Sequence, residues 1–261
     1  MIALAACDFA GQCGVDTSSK LTAVTASRIA DSQILGRACK FVARYVFFGP
    51  PRPQDIDIVE AGLIVGAGLG LILVQHPRLP EDNILTPALG VADATWAVKN
   101  AIAAGCDPSV MQPLDGKPPW LVVDMEGVRD PGPQSFGYAQ SWMQYVSDRG
   151  FRAASYIGYD SGLTTAGLAS LDAQFSPGWW CDFAPLTTRP VPPRGYDVKQ
   201  HVQVALADAL RMRASGQRGF LPMAGIPVDP DEAFATGSIV GFVAAPLAQN
   251  IETSEPTQAV A

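Results

Sequence analysis

Trp120-Leu121-Val122-Val123-Asp124-Met125-Glu126 (WLVVDME) is the stretch that decides how this chain reads. It is an almost unbroken apolar run ending in acid. A strand with one wet face alternates apolar and polar residues, whereas a run this uniformly apolar suits a parallel strand buried on both faces. Pro118-Pro119 punctuates its start. Asp124 and Glu126 are two apart, so on a strand they face the same way with backbones roughly 6–7 Å apart. Two carboxylates this close, shielded from water, cannot both ionise freely. One pKa rises, which leaves a proton donor beside an anion.

The neighbouring sequence repeats a strand-and-helix alternation. Upstream, Val91, Ala94, Val98 and Ile102 fall on one helical face, and Gly105 ends that helix. Further upstream, Gly14-Val15-Asp16 closes a short first strand. Residues 22–36 read as helix, 39–48 as a strand rich in Val and aromatics, 55–67 as helix and 69–74 as strand. Downstream, residues 135–149 form a helix with Phe136, Ala139, Met143 and Val146 inward. Residues 152–157 form a strand and 163–171 a short helix. Residues 178–183, 196–204 and 224–228 are the last strand candidates, the final one weakened by Pro227, which lacks a ladder donor.

Repeated βα units over one domain length predict an α/β fold, a (β/α)₈ TIM-type barrel with the later helices short or missing. An open doubly wound sheet is the competing arrangement. Gly66-x-Gly68-x-Gly70 does not favour it, because a dinucleotide loop follows a strand and opens a helix, whereas this one precedes a strand. The expected organisation is an N-terminal extension at 1–12, the barrel at 13–235, and a C-terminal extension with a polar, flexible tail at 236–261.

Composition narrows the function classes. The 261 residues are 48% hydrophobic and 16% charged, with net charge −7 and no Lys/Arg cluster, so no nucleic-acid or anionic-lipid partner is expected. The five cysteines are scattered, odd in number and free of C-x-x-C spacing; they read as small buried hydrophobes rather than zinc ligands or a disulfide framework. No D-x-D-x-D-G loop is present, and neither metal nor cofactor is expected. Residues 1–7 superficially resemble a lipoprotein cleavage box but lack a positive n-region, and residues 61–74 are too short to span a bilayer. No signal peptide or membrane span is expected; a phage particle or a non-classical export route are the settings considered.

Chemistry in such a barrel sits at the carboxyl ends of the strands. Asp16 follows the first strand, Asp124 and Glu126 end the fourth, and Asp229 follows the last; Asp182 near the sixth is a reserve. First and last strands are neighbours in a closed barrel and the fourth lies across the mouth, so the four acids are expected around one cavity. Glu126, nearer the mouth, is the expected proton donor, and paired acids of this kind are the chemistry of glycosidic cleavage. A single acid at a strand end is as often a helix cap or a loop ion pair. Tyr45, Tyr156, Trp179 and Trp180 are candidate sugar-stacking rings, although strand aromatics are more often core; of the adjacent Trp179 and Trp180, one faces the mouth or interior. His76 and His201 are the only histidines, and without a G-x-S-x-G elbow a serine hydrolase is discounted.

Together, Gly14-Val15-Asp16-Thr17-Ser18, Phe41-Val42-Ala43-Arg44-Tyr45-Val46, Val123-Asp124-Met125-Glu126, Ser155-Tyr156-Ile157-Gly158-Tyr159 and Gly225-Ile226-Pro227-Val228-Asp229 resemble the bacterial glycoside-hydrolase-like domain of the DUF1906 type, itself similar to the lysozymes of glycoside hydrolase family 25. The resemblance spans roughly residues 13–235. It implies a barrel, a peptidoglycan-type glycan, Glu126 at the lysozymes' proton donor, and Asp16, Asp124 and Asp229 at their supporting acids. The chain departs from the pattern in two places. Pro230-Asp231 follows Asp229 where an apolar residue and Asn are usual, and Lys199-Gln200-His201 or Val202-Gln203-Val204 replaces Trp-Gln-Tyr on the seventh strand. Two functions compete: a muramidase-like glycosidase acting on cell-wall glycan, and a non-catalytic glycan-binding or assembly module with particle or envelope proteins as partners. The intact Asp-x-Glu favours the enzyme.

Overall fold

The computed structural model describes residues 4–9, 11–34, 37–78, 85–111, 118–126, 128, 132–157, 162–175, 179–181, 198–200, 221–223, 226–233 and 240–244. In chain order the elements are β1 (Leu4–Asp8), β2 (Cys13–Asp16), α1 (Ala23–Ala30), β3 (Gln33–Ile34), β4 (Arg37–Val46), α2 (Ile58–Gly66), β5 (Gly70–Gln75), α3 (Pro87–Ala103), β6 (Trp120–Asp124), α4 (Pro133–Ser147), β7 (Arg152–Ile157), α5 (Thr165–Gln174), β8 (Trp179–Cys181), β9 (Val198–Gln200), β10 (Leu221–Met223), β11 (Ile226–Ala233) and β12 (Val240–Ala244). None of the described helices is long and apolar enough to cross a membrane.

Local chemistry sets the helix starts. Thr22, Asp57, Thr86 and Thr164 each sit in extended backbone and accept a hydrogen bond from the N–H three residues on. Each such cap contributes about 1 kcal/mol against alanine. Pro87 occupies the first turn of α3, where no N–H is needed. At its other end Gly105 takes φ +87°, a left-handed conformation that suits glycine and stops the helix.

The sheet is α/β in character. Parallel pairings link β2 to β4, β4 to β5, β5 to β6, β6 to β7, β7 to β8 and β8 to β9. β11 then runs antiparallel to both β9 and β2. β1 and β12, from the two ends of the chain, pair antiparallel with each other, and β12 touches β5 through Phe242 opposite Leu71.

Alternation along these strands gives two buried faces. Val15, Val42, Val46, Leu71, Leu73, Leu121, Val123, Ala153 and Ile157 belong to the core cluster shared with Ala61, Ile64, Ala94, Ala97, Ala139, Trp142 and Met143 of the helices. The alternate positions Phe41, Ala43, Ile72, Val74, Trp120, Val122, Ala154 and Tyr156 are equally buried but lie outside that cluster, on the opposite face. At the amino end this inner face is tightly filled. A Cβ on Gly14 would meet the Phe41 ring at 2.3 Å, and one on Gly70 would meet Phe9 at 1.9 Å. Only glycine lets those two rings, 5.6 Å apart, occupy the space.

Several expected elements differ from those found. The helix expected to reach residue 36 stops at Ala30, because Gln33 and Ile34 turn back to pair with Ala38 and Arg37. The helix expected from residue 55 starts at Ile58, capped by Asp57. On α3 the buried stripe is Gly90, Asp93, Ala94, Ala97, Val98, Asn100 and Ala101, whereas Val91 and Ile102 are 40% and 43% exposed. Two polar residues of that stripe are satisfied internally, Asp93 by Arg78 and Tyr138 and Asn100 by the carbonyls of Phe47 and Gly49, which apolar counting does not detect. The final strand is longer than expected and antiparallel. Pro227 stands within it opposite Pro222 of β10. The tail at 249–261 and Asp182 lie outside the described residues.

Candidate active site

Asp16 ends β2 and Asp124 ends β6, both at carboxyl ends and both on the inner face. Each is only 4% exposed. Past Asp124 the ladder continues for one more bond, from the Met125 N–H to the Tyr156 carbonyl at 2.9 Å. The chain then turns, and the Glu126 N–H donates to Asp124 Oδ1 at 2.8 Å. The carboxylate of Asp124 therefore shapes the turn that carries Glu126, which is half-buried at the rim.

The electrostatics of the group are those of like charges brought together. Burial pushes the Asp124 carboxyl well above its ordinary value. The negative charges of Glu126 and, less strongly, Asp16 push it further, against the opposing effect of the Glu126 N–H. The charges of Glu126 and Asp16 are thus close enough to act on Asp124. Among the described residues no group of three or more His, Cys, Asp or Glu is gathered so as to hold a metal ion.

Asp229 reaches this region by a different route from the expected one. It lies within β11, not after a strand, and its Cα is in register with that of Asp16. The antiparallel direction of β11 brings a mid-strand residue level with the carboxyl end of β2. Tyr45, on the inner face of β4, donates its hydroxyl to Asp16 Oδ1 at 3.2 Å. Tyr156 is buried on β7 in register with Asp124 on one side and Trp179 on the other. Trp180 is level with Ile157.

Two polar clusters on the helix side brace this end of the sheet. Arg44 is fully buried and bonds Glu60 of α2 through Nε at 2.7 Å. Its remaining N–H groups donate to the carbonyls of Thr17 and Gln54, and Glu60 accepts from the Leu21 N–H. One ion pair therefore fixes the loops that follow β2 and β4. Beyond β5, Arg78 forks onto Asp93 at 2.5 and 2.7 Å, Tyr138 donates to the same carboxylate, and Trp142 donates to Gln75 at 2.5 Å.

The ring of His76 stacks on Tyr45 with centroids 4.7 Å apart. Behind it are Asp55, at 3.2 Å, and Arg52, which grips Asp55 and lies over the Phe47 ring. Its parity with Ile72 and Val74 on β5 was the sequence signal that places it on the inner side. Cys13, Cys39 and Cys106 are buried and form no disulfide; burial pushes the Cys106 thiol far up, so it stays protonated.

Fold and site together define a class: an α/β protein with buried acids grouped at the carboxyl ends of parallel strands. No family model matches the chain, and no curated protein matches it by sequence. Solved structures do resemble it. An uncharacterized B. stearothermophilus protein superposes with TM-score 0.56 at 16% identity, covering 85% of this chain and 95% of that one. The Tat-secreted protein Rv2525c of Mycobacterium tuberculosis gives 0.55 at 15%, with 87% and 98% covered. A bacterial lysozyme from Streptomyces coelicolor gives 0.54 at 15%, with 92% and 97% covered. At such identities the likeness is one of fold, and that fold is shared with lysozymes.

Proposed function

We propose that this protein is a glycoside hydrolase of the lysozyme-like kind, acting on bacterial cell-wall glycan. The observation that carries the reading is the mutual influence of Asp124, Glu126 and Asp16 at the carboxyl end of a sheet whose fold is also a lysozyme's. We read that sheet as a closed barrel. From β5 the pairings pass through β6, β7, β8, β9, β11, β2 and β4, and β4 pairs with β5 again. We infer that this circuit is a (β/α)₈-like barrel. The DUF1906-type resemblance is part of the same reading.

In this mechanism Glu126 is the proton donor. Burial and the charges of Glu126 and Asp16 raise the Asp124 carboxyl, which keeps a proton available beside Glu126. Glu126, at the rim, gives it to the glycosidic oxygen as the C–O bond breaks. The remaining carboxylates of Asp16, Asp124 and Asp229 stabilise the positive charge that develops on the sugar ring. Tyr45 holds Asp16 in place, and Tyr45, Tyr156 and one of Trp179 and Trp180 are the candidate ring faces for the glycan. A substrate in the cell wall implies an exported protein, and the Tat-secreted neighbour agrees with export.

Glu126→Gln tests the reading. It keeps size and most hydrogen bonding but removes the transferable proton, so muropeptide release from purified walls is expected to fall by about 10²–10⁴-fold with folding intact. Wild-type cleavage that survives the change removes Glu126 from the mechanism. A wild type that cleaves nothing but still binds glycan favours the binding-module reading instead.

A further inference from the structure

His76 follows β5 directly, with its N–H held by the Val46 carbonyl at 3.0 Å. It shares the inner side with Val74, and Tyr45 stands between it and Asp16. Three features define its state. Nε2 is shut away from solvent, and the polar group facing it is Asp55 Oδ1 at 3.2 Å, off the line of a straight hydrogen bond. A lone pair pointed at a carboxylate is repulsive, so Nε2 carries the hydrogen and Nδ1 the lone pair. The side chain is 15% exposed, and Nδ1 has no hydrogen-bond partner among the described residues.

The groups around the ring are Asp55 and Arg52 from the loop after β4, Arg44 and Tyr45 of β4, and Asp16 beyond Tyr45. Burial and the Arg52 charge bring His76 down to about 4, against the opposing pull of Asp55. The imidazole is therefore neutral at physiological pH. A neutral ring with a fixed tautomer, braced by stacking and one open acceptor, is a hydrogen-bond acceptor of defined direction.

We propose that His76 is a further substrate-contacting residue of the site, accepting at Nδ1 a hydrogen bond from a hydroxyl or N-acetyl N–H of the glycan. Asp55 acts through it as a positioning residue. This rests on the glycan-directed reading above. The arrangement makes His76 a specificity element: a substituent that replaces the donor with an acceptor meets an unmatched lone pair.

The probe is the N-acetylglucosaminyl-N-acetylmuramic acid disaccharide prepared from bacterial wall, added to the full chain. Wild type is expected to bind it, and His76→Phe, which keeps the ring stack and removes the acceptor, to bind about tenfold more weakly, the scale of one lost hydrogen bond. Affinity of the wild type is expected to drop as pH falls through about 4, with that step absent in His76→Phe. Because a variant can fail to fold, ¹⁵N NMR of wild type gives a second readout. Nδ1 is expected to resonate as an unprotonated nitrogen at neutral pH and to shift when the disaccharide is added. Wild type that binds while His76→Phe binds equally well, or an Nδ1-protonated ring, overturns this proposal and leaves the glycan reading standing. Wild type that binds no glycan overturns both.

Discussion

Two sets of charges are buried to the same depth on opposite faces of one sheet. On the helix side, Arg44 and Glu60 are 0% and 1% exposed, oppositely charged, and surrounded by carbonyls and an N–H that use their remaining hydrogen-bonding capacity. On the inner side, Asp16 and Asp124 are each 4% exposed and both are carboxyls; Tyr45 donates to Asp16 and the Glu126 N–H to Asp124. Depth of burial is equal; the sign of the neighbouring charge is not. A buried pair of opposite sign braces a loop, whereas neighbouring acids of one sign keep a proton on Asp124.

The largest expected effect follows from breaking the complete pair. Glu60→Ala leaves Arg44 buried without its counter-charge, and stability is expected to fall by roughly 3–5 kcal/mol in denaturant unfolding. The loss in Arg44→Met with Glu60→Leu together is expected to be smaller than the sum of the single losses, because no lone charge remains. Single and double losses that simply add would remove the contrast between the two faces.

Asp124→Asn is expected to do the reverse. The native Asp124 carboxyl holds its proton above the pH at which the unfolded chain, at 3.8, has released it. Stability from this group is thus present at low pH and lost as pH rises through its native value. The amide cannot ionise and keeps an oxygen for the Glu126 N–H. A gain of roughly 0.5–2 kcal/mol at pH 7, fading toward pH 3.8, is expected in thermal melts, with wall hydrolysis reduced. A variant less stable than wild type at pH 7 would show that Asp124 is satisfied after all.

The smallest effect sharpens the pH argument. His76 binds its proton near pH 4 when folded and 6.5 when free. Between those values the unfolded state holds more protons, so stability falls as pH drops from 6.5 to 4 and levels off below. Melting of His76→Phe against wild type is expected to lack that slope.

Much of this could be read from residue order alone. The apolar run at 120–124 and its acidic end announced a doubly buried parallel strand, because only residues without polar side chains fill both faces. The strand at Arg152–Ile157 has its expected bounds, and Asp16 and Asp124 stand at strand ends as the residue order implies. Local rules reach that far because period, capping and turn chemistry act over a few residues.

Other features required contacts distant in sequence. The stripe on α3 is centred on Ala94 and Ala97 rather than on Val91 and Ile102 because Asp93 and Asn100 have partners elsewhere in the chain. Asp229 comes level with Asp16 because β11 runs antiparallel, a direction that no short segment encodes. His76 gains its meaning from Tyr45, Asp55 and Arg52, which the crossing from β4 to β5 delivers to one place. The sequence determined which strands are buried and where their acids stand. Tertiary structure decided which buried charges stand beside an opposite charge and which beside a like one, because burial is set by local pattern while the neighbouring charge depends on what the fold brings alongside.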